Sequence, residues 1–276
     1  MTTLQAIITA IIQGITELFP VSSLGHAVIL PKVLGWGIDQ HAADFLPFLV
    51  VLHLGTAIAL LAYFWRDWWD FGMSLLGKGA RPEQDRKLFF LLVLATMPAV
   101  VLGVALRKTF GEAFGSPAVA ACFLILNGFV LYFGEKLRTH GVQDMSLDDL
   151  TWKGALAIGF AQSAALFPGI SRSGATMVGG VLAGLHHKDA ARFSFLMATP
   201  IIIGATVYEA PKLLASGATL GGLALLSGAV AGVIAFISIV GLMRYFKGHD
   251  FEALNPFAYY CWIAGALALS YIVVFG

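Results

Sequence analysis

The stretch from Glu17 to His26, "ELFPVSSLGH", places a carboxylate, two hydroxyls and an imidazole within an otherwise apolar region. The residues around it, from 2 to 35, form one apolar segment that Pro20 and Gly25 interrupt. Proline removes a hydrogen bond from a helix interior, and glycine weakens a helix. The pattern therefore predicts a helix broken at this point, with reactive side chains at the break.

The composition of the chain is that of a helical membrane protein. Of its 276 residues, 58% are hydrophobic and 12% are charged, whereas soluble domains have about 25% charged residues. The net charge of +1 excludes the basic surface that nucleic-acid binding requires. The N-terminal residues lack the basic flank and cleavage site of a signal peptide, so we expect this segment to be retained.

Six apolar runs have the length, about 20 residues, that a helix needs to cross a bilayer. We predict an all-α polytopic membrane protein with a single membrane domain, residues 1–276, surrounded by membrane lipids. The predicted transmembrane helices are 45–64, 87–106, 117–134, 190–209, 219–243 and 257–275.

A second apolar segment, residues 153–186, is broken by Pro168, Gly169 and Gly174. The pieces on either side of each break are too short to cross a bilayer as helices. Irregular backbone at membrane depth is tolerated only where protein or water surrounds it. We therefore predict that each broken segment forms a re-entrant helical hairpin.

The two breaks are similar in sequence. The triplet Leu-Phe-Pro in "ALFPGISRSGAT", residues 165–176, lies 148 residues after the same triplet in "ELFPVSSLGH". Three transmembrane helices follow each break, so the second half enters the membrane from the opposite side. This predicts inverted-topology repeats at about 1–136 and 150–276, with a site near the midplane where the breaks meet.

The distribution of Lys and Arg gives the orientation. With both hairpins re-entrant, twelve basic residues lie on one side of the membrane and four on the other, and Arg172 lies within the second break. The basic side should be cytoplasmic, so both termini and the opening of the site are predicted to be periplasmic or extracellular. The basic side holds Arg66, Lys78, Arg81, Arg86, Lys87, Lys136, Arg138, Lys153, Lys188, Arg192, Arg244 and Lys247, and the other side holds Lys32, Arg107, Lys108 and Lys212.

Arg172, between Ser171 and Ser173, requires an anionic partner, because arginine costs at least about 2.5–3.5 kcal/mol at the centre of a membrane helix. One interpretation is an ion pair with Glu17 that ties the two breaks together. The other is an oxyanion site, since a guanidinium matches phosphate in two parallel bonds. The start of a helix predicted from about 174 would also favour an anion, and the serines bind phosphate or cap that helix.

Gln13 and Glu17 are four residues apart and share one helical face. A carboxylate in an apolar hairpin is costly unless it is paired or bound to a metal. Carboxylate and carboxamide oxygens are ligands for Mg²⁺ or Ca²⁺, so we predict a divalent cation here. The alternative is the salt bridge from Glu17 to Arg172.

His26 follows Ser23 by three residues, close enough for a serine–base pair if the backbone turns helical there. Ser22 is a candidate phosphate contact. Alternatively, either serine caps the helix after the break and His26 is structural. An arginine, a hydroxyl, a base and a carboxylate are the parts that phosphoryl transfer uses. The candidate catalytic residues are Glu17, Ser23, His26 and Arg172.

Other polar residues in the apolar runs have simpler interpretations. His53 and Asn127 are predicted to pack or to form hydrogen bonds between helices. Cys122 and Cys261 are predicted to be small core residues without a disulfide bond.

The two breaks resemble those of the undecaprenyl-diphosphate phosphatase family linked to bacitracin resistance. The resemblance is specific in "QGITELFPVSSLGH" (13–26) and "PGISRSGATM" (168–177), with "RFSFLMATPIIIGA" (192–205) following, and extends along most of the chain. It implies a bacterial inner-membrane enzyme with six spans and two re-entrant hairpins. Such enzymes hydrolyse undecaprenyl diphosphate to the monophosphate carrier used in peptidoglycan synthesis.

The resemblance also implies roles for single residues. Gln13 and Glu17 match the acidic motif, in which many members have glutamate at the first position, and Leu24 replaces a threonine. Ser23 is implied as nucleophile or phosphate contact and His26 as base or acid. The implied diphosphate clamp is Arg172, supported by Ser171, Ser173 and Thr176.

A lipid-phosphate transporter or flippase is the alternative function, because inverted repeats with broken helices are also typical of transporters. A serine–histidine pair beside an arginine favours an enzyme that acts on a polyisoprenyl diphosphate. A structural scaffold is disfavoured, since it gains little from buried charge. The sequence leaves open whether Ser23 or water is the nucleophile and whether the protein forms a homodimer.

Overall fold

A computed structural model describes residues 1–38, 45–105, 115–138, 145–215 and 221–275, and the side chains in these ranges except those of 209–215. The chain is helical throughout these ranges, apart from turns and short loops. Its α-helices are α1 (Thr3–Thr16), α2 (Ser23–Val33), α3 (Phe45–Tyr63), α4 (Trp65–Leu75), α5 (Pro82–Ala105), α6 (Pro117–Leu137), α7 (Trp152–Ser163), α8 (Arg172–Leu182), α9 (His187–Ala215), α10 (Gly222–Gly248) and α11 (Asn255–Phe275).

Six of these helices are long and apolar enough to cross a membrane, namely α3, α5, α6, α9, α10 and α11. They correspond one to one to the six predicted spans, which confirms the fold class. The observed helices extend into polar residues, so that α5 begins at Pro82 and α6 ends at Leu137. One helix, α4, was not predicted from the sequence; it is amphipathic, and Trp65 and Trp69 are exposed on it.

The two broken segments are present as pairs of short helices. The first pair has 14 and 11 residues and the second has 12 and 11, so each helix is about 17–21 Å long and cannot cross about 30 Å of hydrocarbon. Within each pair the helices pack against each other. The return of each pair to the side from which it enters stays a prediction.

Local backbone chemistry explains where each segment breaks. Ser22, with φ of 67°, caps α2 by accepting a hydrogen bond from the Gly25 N–H. Ser171 caps α8 by accepting one from the Gly174 N–H, so α8 begins at Arg172 and not near 174 as predicted. Gly169 has φ of +105°, and a Cβ there would lie 2.3 Å from the Ala120 carbonyl oxygen, so the second break requires glycine.

The helices of the two halves exchange partners across the molecule. α1 packs on α10 and α7 packs on α5, while α6 packs on α11 and α3 on α9. An offset of 148 residues, the distance from Pro20 to Pro168, brings the bounds of α1 and α2 within one residue of those of α7 and α8. This exchange is what a two-fold repeat requires, and the repeat itself stays a prediction.

Small residues allow α3 and α10 to approach closely. A Cβ on Gly55 would lie 2.0 Å from the carbonyl oxygen of Gly228, and one on Gly232 would lie 2.9 Å from that of Gly55. Glycines four residues apart are typical of tightly packed membrane helices. This packing holds α3 in the position from which it contributes to the site described below.

The two cysteines differ in environment. Cys261 is fully buried, as predicted, whereas Cys122 is exposed and therefore not a core residue. Cys122 lies on a face of α6 that the described helices do not cover, where its small apolar side chain suits lipid. Both thiols are free.

The loops predicted to be cytoplasmic meet at one end of the bundle. Ion pairs join α4 and the loop after it, the end of α6 and the loop after it, the start of α9, and the loop after α10. These pairs are Arg81–Asp148 at 2.8 Å, Arg138–Asp250 and Lys136–Glu252 at 3.8 Å each, and Arg192–Asp67.

Candidate active site

An ion pair between Glu17 and Arg172 joins the two breaks. Glu17 caps the C-terminus of α1 and Arg172 is the first residue of α8. The Arg172 Nη2 donates to Glu17 Oε1 at 3.3 Å, and the two side chains are only 14% and 8% exposed. Arg172 Nη1 also donates to the Ser194 carbonyl oxygen at 3.3 Å. In this structure the anionic partner of Arg172 is therefore Glu17, as in the ion-pair interpretation.

The second oxygen of Glu17 faces three polar groups. The Ser23 hydroxyl donates to Oε2 at 2.5 Å and the Gln13 amide nitrogen donates to it at 3.2 Å. His53 Nε2 lies 3.4 Å from the same oxygen. A short hydrogen bond to a carboxylate draws the proton away from the Ser23 oxygen and raises its nucleophilicity.

The local fold brings these groups together. Gln13 lies one turn before Glu17 on α1, and both are buried. The break then reverses the chain, so that Ser23, the first residue of α2, returns to Glu17. His53 comes from the middle of α3, which packs against α1.

Glu17, Ser23 and His53 line a cavity of about 500 Å³ together with Arg172, whereas Gln13 does not line it. Its other walls are aliphatic and come mainly from α3 and α9. The polar lining residues include Glu17, Ser22, Ser23, His53, Ser171 and Arg172, and the aliphatic ones include Leu46, Leu49, Val50, Ile201, Ile202 and Ala205. A cavity that combines a charged pair with aliphatic walls suits an anionic lipid head group and the start of its tail.

The two halves contribute differently to this cavity. At the 148-residue offset, Ala165 occupies the place of Glu17 and Leu24 the place of Arg172, and both line the cavity. The first half thus supplies the negative charge and the second half the positive charge. At the position equivalent to the other half's charged residue, each half has an apolar residue. A complete pair exists only when both breaks meet.

The ring nitrogens of His26 bond to groups other than the Ser23 hydroxyl. Its Nδ1 lies 2.7 Å from the Ser22 carbonyl oxygen and its Nε2 lies 2.7 Å from the Tyr260 hydroxyl. Because a carbonyl only accepts, Nδ1 carries the proton and Nε2 accepts from Tyr260. His26 is not among the residues that line the cavity, and its role as base or acid stays a prediction.

The proximity of His53 to Glu17 was not predicted from the sequence. The His53 Nδ1 donates to the Leu49 carbonyl oxygen at 2.8 Å, which fixes the ring with Nε2 toward Glu17. The signal was present in the sequence, because an ionisable residue inside an apolar span is a functional candidate by default.

The candidate phosphate-binding residues fall into two groups. Ser22 and Ser171 line the cavity with Arg172, whereas Ser173 and Thr176 are not among its lining residues. The Ser173 hydroxyl donates to the Phe19 carbonyl oxygen at 3.1 Å, and the Thr176 hydroxyl donates to that of Arg172 at 2.8 Å. Both hydroxyls of the second group are thus bonded to backbone carbonyl oxygens, and their direct contact with phosphate stays a prediction.

The described residues contain no group of three or more His, Cys, Asp or Glu side chains that could hold a metal ion. Glu17 lines the cavity, whereas Gln13 does not, and the Gln13 atom that faces Glu17 at 3.2 Å is its amide nitrogen. With the amide turned so that its oxygen faces Glu17, the two residues would offer two oxygen donors for Mg²⁺ or Ca²⁺, and substrate oxygens and water would complete the coordination.

Comparison with known proteins gives the family. A family model described as "Bacitracin resistance protein BacA" matches residues 6–267. An undecaprenyl-diphosphatase from Acidiphilium cryptum is 53% identical over 99% of both chains. Undecaprenyl-diphosphatase 2 of Chromobacterium violaceum is 46% identical over 99% of this chain and 100% of its own. An undecaprenyl-diphosphatase from Mycolicibacterium paratuberculosis is 42% identical over 98% and 97%. These matches confirm the resemblance of the two breaks, and the chain belongs to the bacitracin resistance protein BacA family.

Proposed function

We propose that this protein hydrolyses undecaprenyl diphosphate to undecaprenyl phosphate and inorganic phosphate, which recycles the lipid carrier for peptidoglycan synthesis. The observation that carries the proposal is one cavity that joins Arg172, Glu17 and Ser23 to aliphatic walls. The names of the relatives support the same reaction. The comparisons give no support to the lipid-phosphate transporter considered as the alternative.

Substrate binding uses the charged residues and the aliphatic walls of the cavity. Arg172 holds the terminal phosphate through its guanidinium, helped by the N–H groups at the start of α8. The first part of the isoprenyl tail lies along the aliphatic side chains of α3 and α9, and the rest of the tail extends into the membrane. Only interactions that stabilise the charge developing in the transition state lower the barrier, so Arg172 is expected to affect turnover most.

The Ser23 hydroxyl is placed to start the reaction. Its oxygen attacks the terminal phosphorus while its proton passes to Glu17 Oε2, 2.5 Å away. The bond from phosphorus to the bridging oxygen breaks and releases undecaprenyl phosphate. Water then attacks the phosphorus of the phosphoserine, the bond to the Ser23 oxygen breaks, and Glu17 returns the proton to that oxygen as inorganic phosphate leaves. In the other form of the mechanism, Ser23 positions a water molecule that attacks directly.

A divalent cation is part of the proposal. Glu17 and Gln13 would hold it together with oxygens of the diphosphate, since hard cations prefer such ligands. When bound, it would neutralise charge on the phosphate oxygens.

We also propose that the protein lies in the bacterial cytoplasmic membrane with both termini outside. The cavity is lined by Phe45 at the start of α3, by Gly115, and by Thr206 in the last part of α9. These segments lie at the opposite ends of their helices from the basic loops. The positive-inside rule then gives the cavity an opening on the outer face. The oligomeric state stays a prediction.

Replacing the guanidinium tests the proposed clamp. Purified wild-type protein in detergent is expected to release inorganic phosphate from an isoprenyl diphosphate, and Arg172→Lys to lower turnover by roughly a hundredfold or more, the scale of one lost oxyanion contact. Arg244→Lys, at an exposed arginine of α10, is the control. Turnover of Arg172→Lys near that of the control would refute the clamp role.

The variant Ser23→Ala separates the two forms of the mechanism. Attack by the serine oxygen predicts almost complete loss of phosphate release, because no other hydroxyl bonds to Glu17 among the described residues. Phosphate release within about tenfold of wild type would mean that water is the nucleophile.

Chelation tests the cation. Phosphate release by the wild-type protein is expected to fall on addition of EDTA and to recover with excess Mg²⁺ or Ca²⁺, with Mn²⁺ binding by the unloaded protein followed by electron paramagnetic resonance. Full activity in EDTA, or unchanged Mn²⁺ binding in Glu17→Gln, would contradict the cation site.

Labelling tests the orientation. A single cysteine at Leu4 is expected to react with an impermeant maleimide in intact cells, and one at Lys78 only after permeabilisation, both in a background without the native cysteines. The reverse pattern would overturn the proposed topology.

A further inference from the structure

One side chain of α6 bridges the two breaks. Asn127 Nδ2 donates to the Pro20 carbonyl oxygen at 2.9 Å, in the first break. Asn127 Oδ1 accepts from the Ser171 N–H at 3.0 Å, in the second break. The side chain is fully buried, and it is not among the residues that line the cavity. Asn127 therefore bonds to both breaks from outside the cavity, where a substrate does not reach it.

Both bonded groups belong to backbone that helices leave unsatisfied. Pro20 lies between α1 and α2, and Ser171 is the residue before α8. In a buried, irregular segment such groups need a partner, because an unpaired amide or carbonyl costs several kcal/mol in an apolar environment. A carboxamide can satisfy a carbonyl and an N–H at once, since one end donates and the other accepts.

The position of these two bonds in the chain links them to the reacting groups. Ser171 immediately precedes Arg172, and Pro20 lies midway between Glu17 and Ser23. A second bond, from the Ser173 hydroxyl to the Phe19 carbonyl oxygen at 3.1 Å, joins the same two segments. The distance between the segments thus depends on these polar bridges as well as on the ion pair.

We infer that Asn127 is a positioning residue for the phosphatase reaction, one that sets the register of the arginine-bearing break against the serine-bearing break. The inference rests on the proposed function. Misplacement of a reacting group by about 1 Å can cost a hundredfold in rate. Loss of the bridge should therefore lower turnover more than it weakens substrate binding.

The test is Asn127→Asp, which keeps the shape of the side chain but places an oxygen against the Pro20 carbonyl oxygen. We expect kcat for isoprenyl diphosphate hydrolysis to fall about ten- to a hundredfold, with KM changed by less than about threefold. Asn255→Asp is the matched control, because Asn255 is also buried and its Oδ1 has no partner.

The outcomes are distinguishable. The inference is overturned if the kcat of Asn127→Asp lies within about twofold of the kcat of Asn255→Asp when the two variants have equal melting temperatures. If Asn127→Asp does not fold, Asn127→Leu gives the same comparison without a charge. Rapid hydrogen exchange of the Ser171 amide in the wild-type protein overturns the inference without any variant. Absence of phosphate release by the wild type refutes the proposed function instead.

Discussion

The buried ion pair between Glu17 and Arg172 is the constraint on which the rest of the site depends. Neither charge is tolerated alone in an apolar interior, where removing one partner of a buried pair costs about 3–5 kcal/mol. The two residues lie 155 positions apart, on different breaks. Each lies at a helix end, because Glu17 is the C-cap of α1 and Arg172 is the first residue of α8. Each break thus supplies one member of the pair.

Helices that end inside the bundle leave backbone groups unpaired, and short polar side chains bond to these groups. Ser22 and Ser171 cap the helices that follow, and Ser173 bonds across to the other segment. The same segments contribute Ser22 and Ser171 to the lining of the cavity. Ser22 and Ser171, which cap the interrupted helices, therefore also line the cavity in which we propose that the phosphate binds.

The sequence predicted the six spans and both breaks because long apolar runs and the residues that interrupt them are local signals. It also predicted that the breaks meet, since lone opposite charges in lipid need each other. It did not predict which imidazole lies beside Glu17. His26 is near Ser23 in sequence but bonds to Tyr260, whereas His53 reaches Glu17 from another helix. Such contacts depend on helix rotation and packing, which no short pattern encodes.

A double-mutant cycle on the free energy of unfolding tests the central claim most directly. Glu17→Gln, Arg172→Gln and the double variant would be unfolded in detergent under identical conditions. Since the two side chains are in contact, we predict that the double variant is less destabilised than the sum of the single variants, by about 1–3 kcal/mol. Additive effects within about 0.5 kcal/mol would mean that the two breaks do not meet through this pair.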